Sequence, residues 1–180
     1  MPKEITIIGY ELFDEGTSEF FNPKTQKLKL EHSLVSLSKW ESKWCKPFLK
    51  KEEKTREEML DYIKCMTLTQ NVDPNIYRCL SRKNLEEINA YINAPMTATT
   101  FSDKGTSRAS RETTTSEIIY YQMIELDIPF ECEKWHLNRL LTLIRVCSAK
   151  KSPKKMSKKD TINQYAALNA ARKKQFNSKG

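Results

Sequence analysis

Two histidines and five cysteines are the residues of this 180-residue chain best suited to bond chemistry. The cysteines, Cys45, Cys65, Cys79, Cys132 and Cys147, are odd in number and irregularly spaced, with no C-x-x-C. That pattern predicts free thiols, not a disulfide framework or a redox pair. Cys132 and His136 stand four apart and could face the same way at a helix start, but two ligands do not make a zinc site. His32 falls at a strand-to-helix junction and His136 near the start of an apolar helix, where a hydrogen-bonded structural histidine is expected. No G-x-S-x-G occurs, and Ser157-Lys158-Lys159-Asp160 reads as a helix cap. The carboxylate pairs Glu57-Glu58 and Glu86-Glu87 fall in helix first turns, where the helix dipole favours them. The converging groups an active site needs are missing. The expectation is a chain that is not an enzyme and that uses no metal or cofactor.

Charge is a stronger signal. The formal net charge is +8. From Lys150 to Gly180 there are ten Lys/Arg against one acid, Asp160, while the other 149 residues hold 21 basic and 22 acidic side chains. A near-neutral body, residues 1–149, therefore carries a basic arm, residues 150–180. No apolar run approaches the roughly 18 residues that span a bilayer. The Met-Pro-Lys-Glu-Ile start lacks the apolar core of a signal peptide, so a cytoplasmic protein with no membrane partner is expected. Only four glycines are present, which argues against glycine-rich phosphate loops and a turn-rich all-β fold.

The elements that must position these residues follow from periodicity. Ile5 to Tyr10 reads as a strand, Phe20-Phe21 starts another, and Asn22-Pro23-Lys24-Thr25 is a turn. Lys27 to Glu31 alternates polar and apolar, the mark of a half-buried strand. Ser33 caps a helix to about Cys45. Thr55 with Glu58 forms a capping box before a second helix. Asp73-Pro74 opens a short helix, with Pro at the first helical position. Ser81 caps another helix carrying Leu85, Ile88 and Ile92, and Pro95 closes it. The polar stretch from Ser102 to Thr113 is expected to be a mobile loop. Thr114 and Glu117 show capping-box spacing before a helix that hinges at Asp127-Ile128-Pro129. The next helix, about Glu133 to Cys147, is apolar over most of its circumference. It is expected to be nearly surrounded and to form the centre of the core. A helix from Lys158 to about Gln175 is plausible but thinly apolar. The fold class is mainly α with a small N-terminal antiparallel β element.

Trp40, Trp44 and Phe48 form an aromatic stripe with two readings. They pack into the core, or they anchor another protein. The helix bearing the tryptophans is otherwise rich in Lys and Ser, which keeps exposure open. The expectation carried forward is that these three help to form the body's binding surface. Arg172, Lys173 and Lys174 are expected to act electrostatically from the arm. The arm could bind nucleic acid through phosphates. Alternatively, it could fold onto an acidic or amphipathic protein. Two aromatics, Tyr165 and Phe176, are thin for base stacking, which favours protein.

The chain also resembles a group of small tail assembly chaperones of long-tailed bacteriophages of Gram-positive hosts. The resemblance covers most of the length. It is carried by Glu31-His32-Ser33-Leu34, by Lys39-Trp40-Glu41-Ser42-Lys43-Trp44 and by Lys46-Pro47-Phe48-Leu49. It continues in Leu60-Asp61-Tyr62-Ile63-Lys64-Cys65-Met66, Thr97-Ala98-Thr99-Thr100-Phe101 and Trp135-His136-Leu137-Asn138-Arg139-Leu140. It ends in Lys154-Lys155-Met156-Ser157 and Leu168-Asn169-Ala170-Ala171-Arg172-Lys173. None of these is a catalytic signature. The resemblance implies a non-enzymatic role in the host cell cytoplasm: coating the helical tape measure protein and recruiting tail tube subunits. Self-association is a further expectation. The alternatives are a structural virion protein of the connector or tail, and a small nucleic-acid-binding protein using the arm.

Overall fold

The computed structural model describes residues 2–14, 16, 18–101, 113–151 and 158–176. The stretch expected to be a mobile loop lies almost wholly outside these residues. The chain divides into two compact units, 1–147 and 148–180.

The first unit begins with β1 (Lys3–Ile7), which pairs antiparallel with β4 (Gln26–Leu30), Ile5 opposite Leu28. The period-two pattern places Ile5, Ile7, Leu28 and Leu30 on one buried face. β1 is shorter than the expected Ile5–Tyr10. The chain leaves the ladder near Gly9, whose N–H donates to Thr25 Oγ1 at 3.2 Å. A Cβ at Gly9 would meet Pro23 O at 1.7 Å, so only glycine fits. Between these strands, β2 (Leu12–Asp14) and β3 (Glu19–Phe21) form a separate antiparallel pair in which Phe13 lies opposite Phe20. No periodicity in the sequence marks β2, which is only three residues long.

Five helices follow among the described residues before the arm helix: α1 (Leu34–Trp44), α2 (Arg56–Met66), α3 (Arg82–Asn93), α4 (Ser116–Glu125) and α5 (Leu137–Lys151), the last of which ends four residues into the second unit. Short 3-10 segments, Pro74–Cys79 and Phe130–Lys134, precede α3 and α5. The architecture is α+β and mostly helical, as composition and periodicity indicate. Ser33, Thr55, Asp73 and Ser81 all serve as caps through their side chains. The segment leaving α2 runs beside β4. There Glu31 N–H donates to Met66 O and Leu68 N–H to Lys29 O, both at 2.8 Å.

Three expectations need correction. First, α4 is capped at Thr115 and not by a Thr114–Glu117 box, and Thr115 contributes no side-chain cap bond. Second, the helix after the hinge starts at Leu137; the residues expected to begin it form the 3-10 segment instead. Third, that helix is not surrounded. Leu137, Leu140 and Ile144 are buried, but Leu141, Leu143, Val146 and Cys147 are only half-buried. Sealed residues are spread over the sheet and all five helices: Ile7, Leu28, Leu30, Leu34, Leu37, Trp40, Tyr62, Ile63, Met66, Ile88, Ile119, Met123, Leu137 and Leu140. A sheet with one apolar face must be covered, and its buried residues belong to one cluster with those of the helices and the 3-10 segments.

The hinge after α4 is a Schellman turn. Asp127 is left-handed at φ 55°, its N–H reaches Ile124 O at 3.2 Å, and Ile128 N–H reaches Met123 O at 2.9 Å. The second unit contains α6 (Lys158–Gln175), whose described side chains are exposed.

Candidate functional site

The aromatic stripe is the first place to look, and it is not a surface. Trp40 is 1% exposed and Phe48 8%. Their rings meet edge to face at 5.0 Å, and Phe48 stacks on Tyr62 at 3.9 Å. Trp40 Nε1–H donates to the backbone oxygen of Glu58 at 2.8 Å, so its one polar atom is satisfied inside the protein. Trp44 is half-buried, and its Nε1–H donates to Asp61 Oδ2 at 2.9 Å. The expectation that Trp40 and Phe48 form a binding surface is therefore wrong. Both indoles instead clamp α1 to α2, and Trp44 alone of the three keeps part of its ring in solvent.

Salt bridges and carboxylates complete that clamp. Lys43 Nζ lies 2.5 Å from Asp61, and Lys46 Nζ 2.6 Å from Glu58. Glu58 also accepts from Thr55 N–H. The Lys46 hydrogen bond and the Thr55 backbone together hold the Glu58 carboxyl below its usual range. Burial pushes Asp61 up, but hydrogen bonds from Lys43 and Trp44 outweigh it and leave the carboxyl lowered. Glu41, also buried, accepts from Phe48 N–H at 2.8 Å and from Ser116 N–H at 2.7 Å. The missing cap of α4 is thus supplied from α1, 75 residues away in sequence.

The two histidines meet in the core. Their ring centroids lie 5.0 Å apart. His32 Nδ1 sits 2.6 Å from Tyr62 Oη, and His32 O accepts from Leu137 N–H at 2.9 Å. His136 Nε2 lies 2.9 Å from Tyr91 O. A carbonyl only accepts, so Nε2 carries the proton, and the bare Nδ1 has no partner among the described residues. Burial, with His136 alongside, pushes His32 down to about 3, and burial lowers His136 too. Both rings are neutral at physiological pH. They tie the β4–α1 junction, α3 and the start of α5 together, the structural role their sequence positions suggest. No group of His, Cys, Asp or Glu among the described residues could hold a metal ion.

A mostly apolar opening lies elsewhere, between α2, the Pro74–Cys79 segment and α3. It encloses about 230 Å³. Met59, Leu60, Ile63, Tyr77, Leu80, Leu85 and Ile88 line it, with Arg56 and Asn89 as the polar members. Leu85 is 37% exposed at its edge. A larger hollow of about 550 Å³ beside β1 is more polar, with Glu4, Lys83, Asn84 and Glu87 in its walls. The cleft was not singled out from sequence, yet a signal exists. Met59, Leu60, Tyr62, Ile63 and Met66 spread over more of α2 than one contact can cover. Tyr62 and Met66 face the core, and Met59 and Leu60 are left for a second surface.

In the arm, Arg172 and Lys173 are exposed on α6, while the side chain of Lys174 lies outside the described residues. No helix of the described residues is long and apolar enough to cross a membrane. Compared with family models, with curated proteins and with solved structures, the chain has no match.

Proposed function

We propose that this chain is a non-enzymatic phage tail assembly chaperone that binds the tape measure protein and recruits tail tube subunits. The observation that carries the reading is the apolar cleft of α2 and α3. Seven of its nine lining residues are apolar. Such a groove suits the apolar side of an amphipathic helix, read as side chains three and four apart. A long helical tape measure presents many such segments. The resemblance set out above supplies the identity of the partner, and the cleft supplies a means of holding it. The described ionisable groups in the core support binding over catalysis, since Glu41, Glu58, Asp61 and both histidines are spent on holding elements together.

Co-expression with the tape measure protein of the same phage, followed by pull-down, tests the proposal. The intact chain captures the tape measure. Leu85→Glu, which puts a charge at the cleft edge on an exposed position, cuts capture at least tenfold while leaving the circular dichroism unchanged. Failure of the intact chain to form any complex overturns the reading.

A further inference from the structure

One edge of the N-terminal sheet is open. The edge of β4 away from β1 is covered: Leu68 N–H donates to Lys29 O at 2.8 Å, and Lys29 N–H donates to Thr69 Oγ1 at 2.9 Å. Lys29 therefore turns both of its backbone groups away from β1. Glu4 lies opposite Lys29 in the register. In an antiparallel ladder both members of such a pair face outward. The N–H and C=O of Glu4 thus point off the outer edge of β1, and those of Thr6, two residues on, do the same. Thr6 O bears this out by accepting from Asn84 Nδ2 of α3 at 3.1 Å. The sheet ends at β1, and the N–H and C=O of Glu4 and the N–H of Thr6 have no further backbone partner among the described residues.

This edge opens onto the hollow of about 550 Å³ between β1 and α3. Ile5 and Cys79 are buried members of its lining, while Ile8 and Tyr10 are 70% and 50% exposed. β1 carries neither a proline nor a bulge, two devices that close an edge against pairing. Two acids of the hollow already have cations: Glu4 is met by Lys27, and Glu87 by Lys3 at 3.5 Å. Lys83, exposed on α3, has no ion-pair partner among the described residues. All of these residues belong to the first unit.

We infer that β1 receives an extended segment of another protein as an added strand. Its backbone pairs with Glu4 and with Thr6 N–H, and its own N–H takes the place of Asn84 at Thr6 O. Side chains alternate along a strand, so apolar residues at every second position cover the Ile5 side, and an acidic residue meets the uncompensated Lys83. A second copy fits less well. α3 stands against the edge, tied to it at Asn84 and Glu87, so a folded sheet meets the helix before it meets β1. A single extended chain lies within the hollow. The hollow shares no lining residue with the α2–α3 cleft, so this inference does not depend on the tape measure reading.

The probe is a capped, fluorescein-labelled octapeptide that alternates valine with threonine, one threonine being replaced by aspartate. It is titrated into the full chain and followed by anisotropy and by amide hydrogen exchange. The peptide binds, and exchange at Glu4 and Thr6 slows about tenfold or more at saturation. Thr6→Pro removes an edge N–H without touching the ladder to β4, and weakens binding about tenfold. Replacing the peptide's aspartate by lysine weakens binding about threefold, and Lys83→Glu in the chain reverses that preference. No binding, or binding that leaves exchange at Glu4 and Thr6 unchanged, overturns the inference. So does a Thr6→Pro chain of unchanged circular dichroism that binds as tightly as before. Concentration-dependent dimers that slow exchange at the same two amides without peptide assign the edge to a second copy, and overturn it as well.

Discussion

At the scale of single residues, the buried histidines make stability depend on pH in a predictable direction. His32 titrates near 6.5 when unfolded but only at about 3 when folded. Below 6.5 the unfolded chain binds a proton that the folded chain refuses. The stability is therefore complete above pH 6.5 and declines as pH falls, and the lowered His136 acts in the same sense. Urea unfolding at pH 7 and pH 5.5 should differ by about 1.3 kcal/mol from His32 alone. Glu58 and Asp61 lose their lowered-pKa contribution only at more acid pH, so this window isolates the histidines. His32→Asn should shrink the difference; an unchanged pH dependence in that variant would assign the effect elsewhere.

At the scale of elements, the helix ends are closed by groups distant in sequence. Asn138 Nδ2 donates to Ile92 O and Ala94 O at 2.9 Å each, satisfying the last carbonyls of α3 from α5. Glu41 does the same for the start of α4. Its removal leaves two buried N–H groups, of Phe48 and Ser116, without their acceptor. Glu41→Ala is expected to cost about 2–4 kcal/mol, because hydrogen bonds to a charged group are strong and unmade ones are expensive. Chemical denaturation measures this; a loss below about 0.5 kcal/mol would show that water replaces the carboxylate. The local caps were legible beforehand. Ser33, Thr55 and Ser81 bond only three residues ahead, so spacing suffices to find them. Thr114 with Glu117 had the same spacing but lost to a carboxylate that folding brings from α1.

At the scale of the whole molecule, the split between a near-neutral body and a basic arm appears both in charge and in the compact units, 1–147 and 148–180. Ending the chain after Lys151 keeps α5 whole. The shortened protein should unfold cooperatively at the same denaturant midpoint as the full chain, because the buried apolar cluster lies within residues 5–144. A broad or shifted transition, followed by circular dichroism, would show that the arm supports the body.

The sequence alone determined most elements, the caps that act within one turn, the small antiparallel sheet and the charge asymmetry. These depend on neighbours, on periods of two and 3.6, and on counting. It did not determine which apolar residues turn inward. Trp40, Trp44 and Phe48 share a stripe that fits either core or surface, and only the position of α2, with Glu58 O and Asp61 ready to accept from the indoles, assigned them to the clamp. Likewise α5, whose apolar residues spread round most of its circumference, buries only Leu137, Leu140 and Ile144, while Tyr121 and Ile124 of α4 are left in solvent. Burial is a property of what lies opposite, and what lies opposite is decided by contacts across the chain.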